Sequence, residues 1–118
     1  MAYIYSTLII GVIGFQIALI LGAPWGRITQ GGQVDGPLPR SGRIIAAVSI
    51  LLLIAMALAV LSADGHWPNW PRWTAWAALA VQGLSMVLNW ITPSAAERKL
   101  WAPITTVLFL LAATVVLA

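Results

Sequence analysis

Charged residues interrupt this chain so rarely that four apolar runs separate themselves: Met1–Gly26, Ile44–Ala63, Trp73–Ala96 and Leu100–Ala118, of 26, 20, 24 and 19 residues. A helix needs about 20 predominantly apolar residues to cross the hydrocarbon core of a bilayer, so the pattern predicts four membrane-spanning helices. The first is expected from Tyr3 to about Ala23, ended by Pro24, because proline pushes the residue before it out of helical backbone. The second is expected from Arg43 to Ala63 with Ser41 as its N-cap. The third should run from Arg72 to Ile91, short of Pro93. The fourth should run from Ala102 to Leu117, with Pro103 in a first turn where its missing N–H costs little. The expected fold is all-α, an integral membrane four-helix bundle forming a single domain over residues 1–118. The first run reads as a retained helix, since it is long and has no basic segment in front of it.

The connections carry their own patterns. In loop 1, Ile28-Thr29-Gln30 and Gln33-Val34-Asp35 flank Gly31-Gly32, the arrangement of a short β-hairpin. No Gly-Lys-Ser/Thr follows the glycine pair, so a phosphate cradle is not indicated. Loop 2, Asp64 to Arg72, is short and rich in Trp and Pro. Loop 3 contains Ser94-Ala95-Ala96-Glu97, which matches a capping box. Whether that turn continues through Pro103 is open at this level.

Charge gives the pattern a direction. Arg27, Arg40, Arg43, Arg98 and Lys99 fall on loops 1 and 3, while Arg72 alone falls on the other side. The positive-inside rule then places loops 1 and 3 in the cytoplasm and both termini outside. Trp25, Trp90 and Trp101 lie at the inner ends of the spans. Tyr3, Tyr5, Trp67, Trp70, Trp73 and Trp76 lie at the outer ends. These positions form two belts of interfacial anchors.

Composition narrows the classes. The chain is 61% hydrophobic and 8% charged, against about 25% charged in soluble domains, and a soluble protein this small could not bury so much apolar surface. The net charge of +3 comes without a basic stripe, so nucleic acid is not an expected partner. The absence of cysteine removes disulfides, thiolate metal sites and a Cys nucleophile.

Inside the spans the polar inventory is short. Ala75, Ala78, Gln82, Ser85 and Asn89 recur at helical spacing, and in lipid such a face should turn into the bundle. Gln16 follows Gly11 and Gly14, where close helix approach is expected, and Ala55, Ala59 and Ala63 form a second small-residue face. Gln16, Gln82, Ser85 and Asn89 are therefore candidates for packing hydrogen bonds or for the wall of a polar conduit. None of the four expected spans contains an internal acid, base or histidine, which argues against proton-coupled transport and axially ligated haem. His66 and Asp64 would make half of a metal site, but nothing nearby completes it. No metal or cofactor is expected, and no nucleophile–base pair suggests an enzyme. Arg27, Gly31, Gly32, Arg40, Arg43, Glu97, Arg98 and Lys99 are the candidates for docking a partner or a lipid headgroup.

Ala23-Pro24-Trp25-Gly26, then Gly31-Gly32, Leu38-Pro39 and Arg43, together with Asn89, Thr92-Pro93-Ser94-Ala95-Ala96-Glu97-Arg98 and Trp101-Ala102-Pro103, resemble the motifs of a group of small four-helix bacterial inner-membrane proteins of uncharacterised activity. The resemblance implies four helices and a bacterial inner membrane. It brings no activity and no functional residue with it. The expected role is a non-enzymatic accessory or scaffolding subunit, with lipids and other membrane subunits or further copies of the chain as partners. A homo-oligomeric channel or facilitator for a small polar or uncharged solute is the alternative. An enzyme acting on lipid through Glu97 or the arginines comes third.

Overall fold

Four helices form in the computed structural model, which describes residues 1–118: α1 Ala2–Ile20, α2 Arg40–Ala63, α3 Arg72–Ile91 and α4 Ala95–Val116. Each is long and apolar enough to cross a membrane, and the protein is an integral membrane four-helix bundle. Its long axis of 42 Å exceeds the roughly 30 Å hydrocarbon thickness of a bilayer. The helices pack in ring order, α1 on α2, α2 on α3, α3 on α4, with α4 closing more loosely on α1. Leu51, Leu84 and Leu110 are exposed on the outside, where lipid is their solvent.

Glycine, not proline, ends the first helix. Gly22 takes a φ of +101°, its N–H bonds the Leu19 carbonyl at 3.2 Å, and the Ala23 N–H bonds the Ala18 carbonyl at 3.0 Å. That is a Schellman motif, and it stops α1 before Pro24 acts. Helix α2 ends in the same way through Gly65 (φ +84°), with Gly65 and His66 bonded back to Ser62 and Leu61. The expected Ser41 cap is not used: α2 starts earlier, at Arg40 after Pro39, since Pro39 holds the extended backbone an N-cap requires. Helix α4 begins at Ala95 and runs through Pro103 unbroken, so the Glu97–Lys99 turn belongs to it. The Thr105 and Thr106 hydroxyls return hydrogen bonds to the Trp101 and Ala102 carbonyls.

The bundle is solid toward loop 2. Ala2, Tyr5 and Ile9 of α1 meet Met56, Ala59 and Val60 of α2, Ala75, Ala78 and Leu79 of α3, and Ala112, Val115 and Val116 of α4. The Arg72 guanidinium caps the end of α4 by donating to the Val116 carbonyl, a favourable place for a cation. Toward loop 1 the apolar core shrinks to Leu19, Leu38 and Ala46, flanked by Phe15, Ile20 and Val34.

Two expectations about packing are corrected here. Gly11 and Gly14 have no neighbour within 4 Å of a built Cβ, because they lie on the outer side of α1. The close helix approach occurs instead at Gly83, where a Cβ would stand 3.0 Å from the Phe109 ring. Tyr5 is not an interfacial anchor; it is fully buried, on the same α1 face as Ile9.

Candidate functional site

Below the solid half the helices part around a cavity of about 670 Å³, within the size range of small-molecule sites. Gln16 of α1 and Gln82, Ser85 and Asn89 of α3 all line it, so the four polar residues singled out by spacing share one space. They do not bond to one another across helices. The Gln82 Oε1 accepts the Tyr5 hydroxyl at 2.8 Å, and Asn89 Nδ2 donates to the Ser85 carbonyl at 2.7 Å. Gln82 is only 3% exposed, yet its amide nitrogen has no protein acceptor, and the Gln16 amide bonds to no other group.

The opposite wall is mostly apolar, built from Leu52, Leu53 and Met56 of α2 with Ser49, whose hydroxyl is spent on the Ile45 carbonyl at 2.9 Å. Leu52 and Leu88 line the cavity and are also 47% and 53% exposed. The cavity therefore reaches the side of the bundle between α2 and α3, the surface that faces acyl chains. In the other direction its lining stops short of Tyr5, Ile9 and Val60, which are fully buried in the solid half.

Loop 1 roofs the cavity, and its geometry corrects the expected hairpin. No strand forms; two 3₁₀ turns, Gly26–Ile28 and Gln30–Gly32, take its place. Gln30, Gly31 and Gly32 have φ of +49°, +84° and +67°, three successive residues in left-handed space. Positive φ at Gly31 and Gly32 alone would suit a two-residue turn, but Gln30 is left-handed where a paired strand would have to be extended. Instead the loop bonds to α4. The Gly31 N–H donates to Glu97 Oε2 at 2.8 Å, Ser94 Oγ donates to the Arg27 carbonyl at 2.7 Å, and Trp101 Nε1 donates to the Ile28 carbonyl at 2.6 Å. Gly26 N–H closes the loop on the Gly36 carbonyl at 2.8 Å, making an Ω-like arch.

These bonds reassign several expected docking residues. The capping box is half formed: Ser94 Oγ accepts the Glu97 N–H at 3.2 Å, while the Glu97 carboxylate turns to Gly31 instead of back to Ser94. Gly32 presses on Ser94, where an added Cβ would come within 2.5 Å. Arg43 is occupied in holding the Leu38 and Ile20 carbonyls at 2.9 and 3.3 Å, and Arg98 donates to the Thr92 carbonyl at 2.8 Å. Arg27, Arg40 and Lys99 remain exposed, Arg27 in a solvated pair with Asp35 at 3.7 Å. Trp101 is likewise not a lipid anchor: it stands edge-on to Phe15 at 4.8 Å between ring centroids. Trp25, Trp67, Trp70, Trp73 and Trp90 are exposed, as anchors require.

Sequence reasoning missed three contributors. Tyr5, Trp101 and the loop backbone at Ile28 and Gly31 were legible only as anchors or turn residues. The signal for Tyr5 was present in its spacing with Ile9 and Gln16 on one α1 face. At the far end His66 joins loop 2 to α1, with Tyr3 Oη at 3.3 Å from its Nδ1 and Asp64 at 3.7 Å. No protein-family model, curated protein or solved structure matches this chain.

Proposed function

We propose that this integral membrane protein is a non-enzymatic binding protein that holds an amphipathic small molecule within the bilayer. One observation carries the reading: a side-opening cavity has a mostly apolar α2 wall, while the α1 and α3 walls carry amides whose hydrogen-bonding capacity is unspent. Unsatisfied amides at membrane depth are costly, and a guest bearing polar groups along one side would complete them. Five of the six cations gather at the loop-1 end, which supports a cytoplasmic placement of loops 1 and 3. Ser85→Phe should fill the cavity. Organic extracts of the purified wild-type protein should then contain a bound amphiphile that mass spectrometry finds depleted in the variant; identical extracts would refute the proposal.

The accessory-subunit role is a second reading, favoured by the outer face of α1. Gly11 and Gly14 present bare backbone to lipid, the surface on which another membrane helix packs most closely. Native purification in mild detergent should recover a stoichiometric partner, and recovery of the chain alone would sink this reading. A conduit through a single chain draws no support from a cavity whose lining stops short of the solid half's core at Tyr5, Ile9 and Val60.

A further inference from the structure

The lining of the cavity contains one charged residue, Glu97. It is 7% exposed, and its only hydrogen-bond partner is the Gly31 N–H, on Oε2; Oε1 has none. The chain's two ion pairs, Arg27 with Asp35 and His66 with Asp64, lie elsewhere. The neighbouring cations are directed away, Arg98 to the Thr92 carbonyl and Arg43 to the Leu38 carbonyl. The dipole of the α4 N-terminus favours an anion at this position, but a dipole leaves the formal charge uncompensated. The geometry therefore leaves a carboxylate oxygen free to accept from a charged donor inside the cavity.

The surroundings specify what would compensate it. Glu97, Trp101, Thr105 and Leu108 follow one another along one face of α4, and all four line the cavity. The sequence runs from acid through aromatic ring and hydroxyl to aliphatic over about 16 Å at 1.5 Å per residue. Trp101 is joined by Phe15, and aromatic faces attract cations. The acid end lies under loop 1, and the aliphatic end lies toward mid-membrane.

Resting on the binding role proposed above, we infer that the guest is an amphipathic primary amine. Its ammonium group donates to Glu97 Oε1 beside the Phe15–Trp101 pair, and its apolar body lies along Leu53, Met56 and Leu108. Entry is from the bilayer, through the opening between α2 and α3. The carbonyl oxygens of Gln16 and Asn89 are available to accept the remaining ammonium protons.

The test is a calorimetric titration of the full chain in phosphatidylcholine nanodiscs at neutral pH, with protein-free discs subtracted. Octylamine, 1-octanol and octanoate share a chain length and differ in the charge of the head. Octylamine should bind roughly tenfold or more tightly than octanol, as a charge-assisted hydrogen bond implies, and octanoate weakest. Glu97→Gln retains an amide oxygen for the Gly31 N–H and should bring octylamine down to the octanol level without changing octanol. Equal binding of octylamine and octanol by the wild type would overturn the ammonium assignment and leave the cavity's binding role standing. An octylamine preference that survives Glu97→Gln would overturn the role given to Glu97. Binding of none of the three would overturn the inference and the binding role together. The wild-type series decides the matter even if the variant misfolds. Adding phosphatidylethanolamine to the discs separates two sources of the same chemistry: competition assigns the ammonium to a lipid headgroup, and unchanged affinity assigns it to a free amine. Either result upholds ammonium recognition.

Discussion

The two halves of this bundle are made by the same four helices and are held together differently. Toward loop 2, alanines at 59, 75, 78 and 112 let the helices close on Ile9, Val60 and Val116. Toward loop 1, the α3 positions continuing that face are Gln82, Ser85 and Asn89, and the helices stand apart around about 670 Å³. In a bilayer, apolar side chains gain nothing from leaving water, so association depends on close packing and hydrogen bonds. The solid half uses the first. The hollow half uses the second, through a loop backbone bonded to Ser94, Glu97 and Trp101.

The largest effect separating the halves should come from truncating Ile9. It is fully buried in the solid half, and Ile9→Ala should cost about 2–5 kcal/mol in reversible unfolding measured by steric trapping. Leu88→Ala removes a similar volume from the cavity rim, where the side chain is already 53% exposed, and should cost under about 1 kcal/mol. Equal losses would mean that the hollow half is as tightly packed as the solid one.

The arch over the cavity can be broken separately. A Cβ at Gly26 would press on the Val34 carbonyl and stand 2.6 Å from the Gly36 carbonyl, two backbone groups with little room to yield. Gly26→Ala should cost about 1–3 kcal/mol, confined to loop 1, and appear as faster proteolysis between Trp25 and Pro39 with the helices intact. If the bundle melts as a whole, the loop is integral to the core and the contrast between halves fails.

A smaller effect follows from the one side-chain bond that links the halves. Tyr5→Phe deletes the donor to Gln82 Oε1 and should cost about 1 kcal/mol in the same unfolding measurement, with the helical content unchanged.

Most of the bundle was legible because charge is so sparse: hydropathy marks the four helices, and spacing gathers Ala75, Ala78, Gln82, Ser85 and Asn89 on one inward face, buried at its first three positions and lining the cavity from Gln82 on. The site was half legible for the same reason. Periodicity says which α3 residues face inward, and it cannot say that α2 and α3 part beside them. Loop 1 was misread because Gly31-Gly32 between short β-formers satisfies a local hairpin rule, while the bonds that decide its shape come from residues more than sixty positions away, at Ser94, Glu97 and Trp101. Tyr5 reads as an anchor because aromatic residues near a span end ordinarily are; its spacing with Ile9 and Gln16 and its bond to Gln82 tell otherwise.

Gln16 sharpens the comparison most finely, since it has the same amide as Gln82 and stands in the hollow half without a partner. Gln16→Leu removes polar atoms that bond to nothing in the protein, so stability should be unchanged or higher by up to about 1 kcal/mol. The same substitution should weaken octylamine binding more than octanol binding, because it removes one acceptor of the ammonium protons while leaving Glu97 in place. A gain in stability paired with a loss of binding marks a residue kept for a guest instead of for the fold. A destabilisation above about 1 kcal/mol would show that Gln16 has a partner in the membrane, and that the hollow half is held by its helices as well as by its loop.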